Sequence, residues 1–320
     1  MAERIIKEWV HNPGRHCAST AISDLMNFYG YELSEPECFG IGEGIGFWYI
    51  EGMDPKRIMH FRSIDLEEQF FKNIGIDFKW NNSNNSDEIK QLLIDSINKE
   101  IPVLLRTDIF YLDYYKSKTH FPGHTVLLWG YDPDNNTAYV TDTGHGGQIL
   151  VPFNPLLEAV MHGSFMNGDQ PHVAPITKPM SIPDKKKLSR LAASNNAKRM
   201  LDNNDFAGYG VKGISMASQK LFEWEELEDW KWLSRFAYQV IEKRGTGGGG
   251  FRKMYSEFIQ GFARKGLVKL MDDIASRWSE LAHVFKSISE SSEPDFTMAS
   301  DMLYIQAIRE EEFYSHLTTV

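Results

Sequence analysis

The sequence predicts an α+β domain followed by an all-helical domain. Residues 1–165 mix helical and strand-like apolar spacing, whereas from Lys185 onward almost every segment keeps helical spacing. Between them, residues 166–184 carry Pro171, Pro175, Pro179 and Pro183 among small and polar neighbours, the composition of a linker. A chain of 320 residues suits two domains of this kind.

The elements follow in order. Cys17 to Phe28 has apolar residues at Ala21, Ile22, Leu25, Met26 and Phe28, with Gly30 as a C-terminal stop, and predicts a helix. The glycine-rich Phe39–Phe47 stretch predicts loop or irregular strand. Asp87 to Lys99 predicts a second helix, capped by Ser86 or Asp87. Three β-rich runs come next, Pro102–Arg106, His124–Gly130 and Thr137–Thr141. The last two flank Asp132-Pro133-Asp134-Asn135-Asn136 and predict an antiparallel hairpin. In the second half, helices are expected over 186–203, 208–220, 225–243, 251–265, 267–289 and 298–316.

Composition removes several function classes. Hydrophobic residues make up 42% of the chain, enough for sizeable cores. No apolar run approaches the roughly 20 residues a membrane helix needs, and Met1-Ala2-Glu3-Arg4 opens no secretory h-region. A cytoplasmic protein without membrane contact is expected. The formal charge of −10 and the absence of a long basic run argue against nucleic acid as a partner. The acidic balance suits a cationic small substrate and fits an acidic protein partner less well. Two cysteines, Cys17 and Cys38, cannot make a disulfide framework and show no paired metal-ligand spacing.

The chemistry concentrates on Cys17. It opens the first helix, after Asn12-Pro13-Gly14, where unsatisfied amides and the helix dipole stabilise a thiolate. The competing reading is a small residue packed at a helix start. A thiol enzyme also needs a base and a group to orient it. His124 heads an apolar strand, and Asp142 ends the next one. A turn at 132–136 sets a register in which the two lie opposite one another, within reach of a hydrogen bond. His16 and His120 are rival bases, but His16 diverges from its neighbour Cys17 and His120 falls in a loop. For an oxyanion hole, the Cys17 amide needs a second donor; Asn12 and His11 are the candidates upstream, since the first glutamine is Gln69. The order cysteine on an early helix, histidine on a strand, carboxylate on the next strand is that of papain-like thiol enzymes. His124 follows Cys17 by 107 residues, fewer than the ~130–150 of papain-type peptidases, so a compact version is expected.

His16-Cys17-Ala18-Ser19-Thr20-Ala21, the Phe39–Phe47 stretch, the Asp108–Tyr114 segment and Gly123-His124 through Asp142 resemble the butirosin biosynthesis protein H family. The second half, with Arg244 through Arg252, resembles the domain that often follows it. The resemblance implies a papain-like cysteine acyltransferase of secondary-metabolite biosynthesis. The family's namesake moves an aminoacyl chain from an acyl carrier protein thioester to an amine of an aminoglycoside. Carried over by motif, Cys17 is the nucleophile, His124 the base and Asp142 the orienting carboxylate. Expected partners are an acyl-thioester donor, an acyl carrier protein among the candidates, and a small amine acceptor.

Further substrate contacts are expected at Gly42 and Gly44, whose stretch either lines the acyl channel or forms a close-packed turn, and at Asp108. The Gly245–Gly250 run fails the dinucleotide test because it joins two helices. Opening a helix with Arg252 in its first turn, it is a candidate for binding a pantetheine phosphate through Gly248 and Arg252, against a flexible interdomain loop. His120, His124, Asp142 and His145 have metal-ligand types without helical i, i+4 spacing, so neither metal nor cofactor is expected. An amidase or peptidase using the same residues is the alternative function, and a non-catalytic binding module the third. The helical domain keeps three candidate roles: closing over the site, selecting the acceptor and forming a homodimer.

Overall fold

A computed structural model describes residues 3–52, 57–164, 170–202 and 206–319. In chain order its elements are β1 (Arg4–Ile5), α1 (Cys17–Phe28), α2 (Glu35–Ile41), β2 (Ile45–Glu51), β3 (Arg57–Arg62), α3 (Leu66–Asn73), α4 (Ser86–Asn98), β4 (Val103–Thr107), β5 (His124–Asp132), β6 (Thr137–Thr141) and β7 (Ile149–Pro152). There follow α5 (Phe153–Met161), β8 (His172–Pro175), α6 (Lys185–Leu201), α7 (Gly210–Lys220), α8 (Trp230–Glu242), α9 (Arg252–Ile259), α10 (Lys265–Glu290) and α11 (Thr297–Leu317). The fold is α+β and 51% helical. Among the described residues, no helix is long and apolar enough to cross a membrane.

The chain forms two compact units, Met1–Cys38 with Gly75–Ile182, and Phe39–Ile74 with Pro183–Val320. The break at Ile182–Pro183 falls within the expected 166–184 linker, whereas residues 39–74 group with the C-terminal helices. Residues 39–74 supply β2, β3 and α3 to the unit that holds the C-terminal helices. The glycine stretch expected as loop or irregular strand is the end of α2, a turn and the start of β2, which carries a register shift between Ile45 and Trp48. Its glycines serve packing: a Cβ on Gly40 would come within 2.1 Å of the Phe258 ring. The expected linker holds β8, which pairs with β4 at the sheet edge, where Pro175 removes no needed ladder bond. Residues 165–169, at its start, lie outside the described residues.

In the first unit the sheet order is β7-β6-β5-β4-β8, with β1 also paired to β5. β5 is buried at every position from His124 to Tyr131, as a strand with neighbours on both sides and covered faces must be. α1 packs on it. Ile22, Leu25 and Met26 of α1 are fully buried, each contributing about 1.5–3 kcal/mol. The sheet and α1 therefore form one rigid bed that meets at Cys17 and His124. α4 starts at Ser86 but is capped by Asn85, whose side chain accepts from Asp87 N and Glu88 N.

In the second unit β2 packs on α7 and β3 on α8. Phe47, Phe61 and Trp278 form an aromatic cluster with centroids 4.9–5.9 Å apart. The expected helix over 251–265 ends at Ile259, and residues 260–264 turn before α10 begins. Expected helix 225–243 begins instead at Trp230, after a 3-10 turn over Leu221–Glu226.

Candidate active site

Cys17 is the first residue of α1, half-buried, with His16 as N-cap. His16 Nδ1 accepts from Ser19 N at 3.3 Å, so the ring of this rival base serves the helix start. The turn before it is pinned from two sides. Gly14 N donates to Thr143 O at 2.8 Å, and Glu35 Oε1 accepts from Arg15 N at 2.8 Å and His16 N at 2.7 Å. A Cβ on Gly14 would sit 2.1 Å from Thr20 Oγ1, so this close approach requires glycine. No disulfide joins Cys17 and Cys38, and burial pushes the Cys38 thiol well above its usual range. A buried neutral thiol is inert.

His124 opens β5, and its Nε2 lies 2.8 Å from Asp142 Oδ1. The side chains are 10% and 0% exposed. The pair is diagonal rather than directly opposite, because Leu127 pairs with Thr141 and a register shift follows between Leu128 and Gly130. Asp142 also accepts from Tyr114 OH at 2.7 Å and Thr143 Oγ1 at 2.9 Å. Tyr115 OH lies 3.0 Å from His124 Nε2. Burial would lower the His124 pKa, but the charge and hydrogen bond of Asp142, then the hydrogen bond and charge of Cys17, raise it to about 10. Burial would likewise raise Asp142, but His124 and the two tyrosine hydroxyls hold it at about 2. With Nε2 engaged by Asp142, Nδ1 is the nitrogen left for the Cys17 thiol. The arrangement favours a thiolate–imidazolium pair backed by a carboxylate.

Of the candidate oxyanion donors, Asn12 uses its backbone N on Asp24 Oδ1 at 3.0 Å. His11 Nδ1 lies 2.5 Å from Asp24 Oδ2, with side chains 3% and 1% exposed. Burial opposes its charge, yet the hydrogen bond and charge of Asp24, the His145 backbone and the charge of Asp142 raise its pKa. The His11 ring is buried between Asp24 and the His145 backbone.

Gly42 and Gly44 are buried in close packing, an added Cβ meeting Leu66 O at 2.8 Å and the Phe39 ring at 2.7 Å. Arg252 is corrected from a phosphate ligand to a core residue. Both it and Glu310 are 0% exposed, and its guanidinium donates to Glu310 twice at 2.9 Å and to the carbonyls of Gly46, Phe61 and Gly250. Fully buried and engaged in this way, the guanidinium is closed to a phosphate from solvent. Gly248 N donates to Thr246 Oγ1 at 3.1 Å, closing the glycine run on itself. Asp108 is buried and spends its carboxylate on Phe110 N, Phe121 N and His120. No group of three possible metal ligands occurs among the described residues.

Glu35, Asp24 as the partner of His11, and the contacts of Tyr114 and Tyr115 escape the sequence reading. The adjacent tyrosines fall in the Asp108–Tyr114 segment or beside it, and that is the one signal that pointed near them.

Residues 16–143 match the family model described as Butirosin biosynthesis protein H, N-terminal. Residues 157–317 match one described as Domain of unknown function (DUF4872). The chain belongs to the butirosin biosynthesis protein H family. The first match begins at His16 and ends at Thr143, so in this member of the butirosin biosynthesis protein H family it encloses Cys17, His124 and Asp142. The family's name places it in secondary-metabolite biosynthesis. No curated protein matches the chain.

Proposed function

We propose that this member of the family is a biosynthetic cysteine acyltransferase of papain-like fold, acting in the cytoplasm. The reading rests on one observation: the Cys17 thiol at a helix N-terminus is hydrogen-bonded to His124, which is bonded to the buried Asp142.

The Cys17 thiolate attacks the carbonyl carbon of an acyl thioester. The C–S bond of the donor breaks, and the leaving sulfur takes the proton of the His124 imidazolium. An amine then attacks the acyl carbon on Cys17. The C–N bond forms, neutral His124 takes a proton from that nitrogen, and the Cys17 sulfur leaves as thiolate. The oxyanion in each step is read as facing the Cys17 amide and the His11 ring, whose proton Asp24 favours. His11 ranks above Asn12 on that ground. The donor is read as a thioester on a carrier, an acyl carrier protein among the candidates. The net charge of −10 favours an acceptor that arrives as a cation.

The test is intact mass after incubation with acyl-N-acetylcysteamine thioesters, with Cys17→Ala alongside. An acyl adduct on the wild type alone, discharged faster by amine than by water, supports the transferase. Discharge by water at an undiminished rate moves the reading to a hydrolase. A wild type that never acylates removes the nucleophile and leaves a binding module.

A further inference from the structure

The two long helices of the second unit, α10 and α11, differ in what they show to solvent. The outer face of α10 is polar, with Lys269, Asp273, Ser276, Glu280 and Ser287 exposed. Among the described residues of α10, no large apolar side chain is exposed. α11 packs on α6, α7 and α10, with Leu303, Ala307, Phe313 and Leu317 buried. Its outer face is apolar as well: Met298, Tyr304, Ile305 and Ile308 are 64%, 58%, 42% and 50% exposed. A surface helix with a covered inner face ordinarily turns charged and polar residues outward. A contiguous apolar patch in their place marks a contact with another protein surface.

The charges on that face choose its occupant. Met298, Asp301, Ile305, Ile308 and Glu312 recur at spacings of three and four and form one stripe along the helix. Asp301 and Arg309 stand one turn to either side of Ile305, each about 6 Å along the axis. Neither makes an ion pair with another described residue. Let a second copy of α11 lie antiparallel on a two-fold axis at Ile305. Each residue before Ile305 is then level with the partner's residue as far after it. Asp301 comes level with the partner's Arg309, and Arg309 with the partner's Asp301, one opposite-charge pair on each side of an isoleucine centre. A parallel pair would set Asp301 against Asp301 and Arg309 against Arg309, a repulsion at both ends.

We propose that α11 is the contact of a symmetric homodimer, its Ile305 face packing antiparallel on the same face of a second copy with Asp301 and Arg309 paired across the axis. A single pair of helices makes a small interface, so association falls in the micromolar range. The proposal stands apart from the acyl-transfer reading: it holds whether or not Cys17 carries an acyl group.

Sedimentation velocity of the full-length chain from about 1 to 200 μM reads the association. The wild type is expected to pass from monomer to dimer across that range. Ile305→Asp, a change at an exposed position, should stay monomeric with its helix content unchanged. Asp301→Arg and Arg309→Asp each set like charges level and should weaken the dimer about 10-fold or more, and the variant carrying both should recover it. A damaged face would show no such recovery. In a Cys17→Ala background, Ile305→Cys should cross-link to its own copy faster than Ser287→Cys on the polar face of α10, because a disulfide needs Cα atoms within about 7 Å. A wild type that stays monomeric, with both cysteine variants cross-linking at one rate, leaves the face to a different protein and overturns the proposal. A dimer that survives Ile305→Asp lies elsewhere on the molecule and overturns it too. A double charge variant that fails to recover overturns the antiparallel register.

Discussion

Tyr114 and His124 hold the two oxygens of one carboxylate: the hydroxyl donates to Asp142 Oδ2 at 2.7 Å, and Nε2 lies 2.8 Å from Oδ1. Asp142 is thereby fixed in plane and kept ionised, and the imidazole is oriented through it. Because the carboxylate is buried, each of these bonds acts in a medium that screens poorly.

Replacing Asp142 by Asn keeps the shape and removes the charge. His124 then keeps its burial but loses the partner that raises its pKa, so the imidazolium form collapses at neutral pH. Acylation of Cys17 in a single turnover should slow by about 10²–10⁴-fold. A loss below threefold would show that the carboxylate does not orient the base.

Tyr114→Phe deletes one charge-assisted bond worth about 1.5–3 kcal/mol. The Asp142 pKa, held near 2 in part by that hydroxyl, should rise. The acid limb of the acylation profile should therefore move to higher pH, with little change on the alkaline side. Tyr115→Phe, which removes the second hydroxyl holding Asp142 low, should move the acid limb the same way. Profiles of both variants that overlay the wild type would remove the tyrosines from the site's electrostatics.

How far all this was legible depends on range along the chain. The start of α1 follows from Asn12-Pro13-Gly14 and local spacing, and the β5–β6 turn from Asp132 to Asn136, because both signals lie within a few residues. The exact register did not follow, since the shift between Leu128 and Gly130 has no local mark. Nor did the fate of the Phe39–Phe47 glycines: they look like loop, but Gly40 is small to admit Phe258, more than two hundred residues away. Glu35 on the Arg15 and His16 amides is a contact between a side chain and distant backbone, and Asp24 on His11 one between two distant side chains, which no periodicity encodes.

Arg252 separates a structural from a ligand-binding role by its own measurement. Its fork with Glu310 is fully buried, and Glu310 also accepts from Trp278 Nε1. Arg252→Ala leaves that carboxylate uncompensated and should cost about 3–5 kcal/mol in urea unfolding. Arg252→Lys should recover only part of the loss, because a single ammonium cannot satisfy both oxygens and three carbonyls. Below the melting transition, the KM for acyl thioesters should stay at the wild-type value. A raised KM with unchanged stability would restore the phosphate-binding role.

The His124–Asp142 pair also makes stability depend on pH in a stated direction. His124 has its pKa raised from 6.5 to about 10 in the folded chain. Its contribution is fully present below 6.5 and is lost as pH rises through about 10, because the unfolded chain releases the proton first. Asp142 has its pKa lowered from 3.8 to about 2, so its contribution is present above 3.8 and lost as pH falls through about 2. Urea unfolding of Cys17→Ala with and without His124→Gln between pH 6 and 10.5 isolates the first effect, since the coupled thiol is then absent from both. The curve of Cys17→Ala alone should fall more steeply across that window, and the gap between the two should narrow with each step in pH. Parallel curves would mean that His124 is not held as an imidazolium, and the thiolate pair at Cys17 would lose its counter-charge.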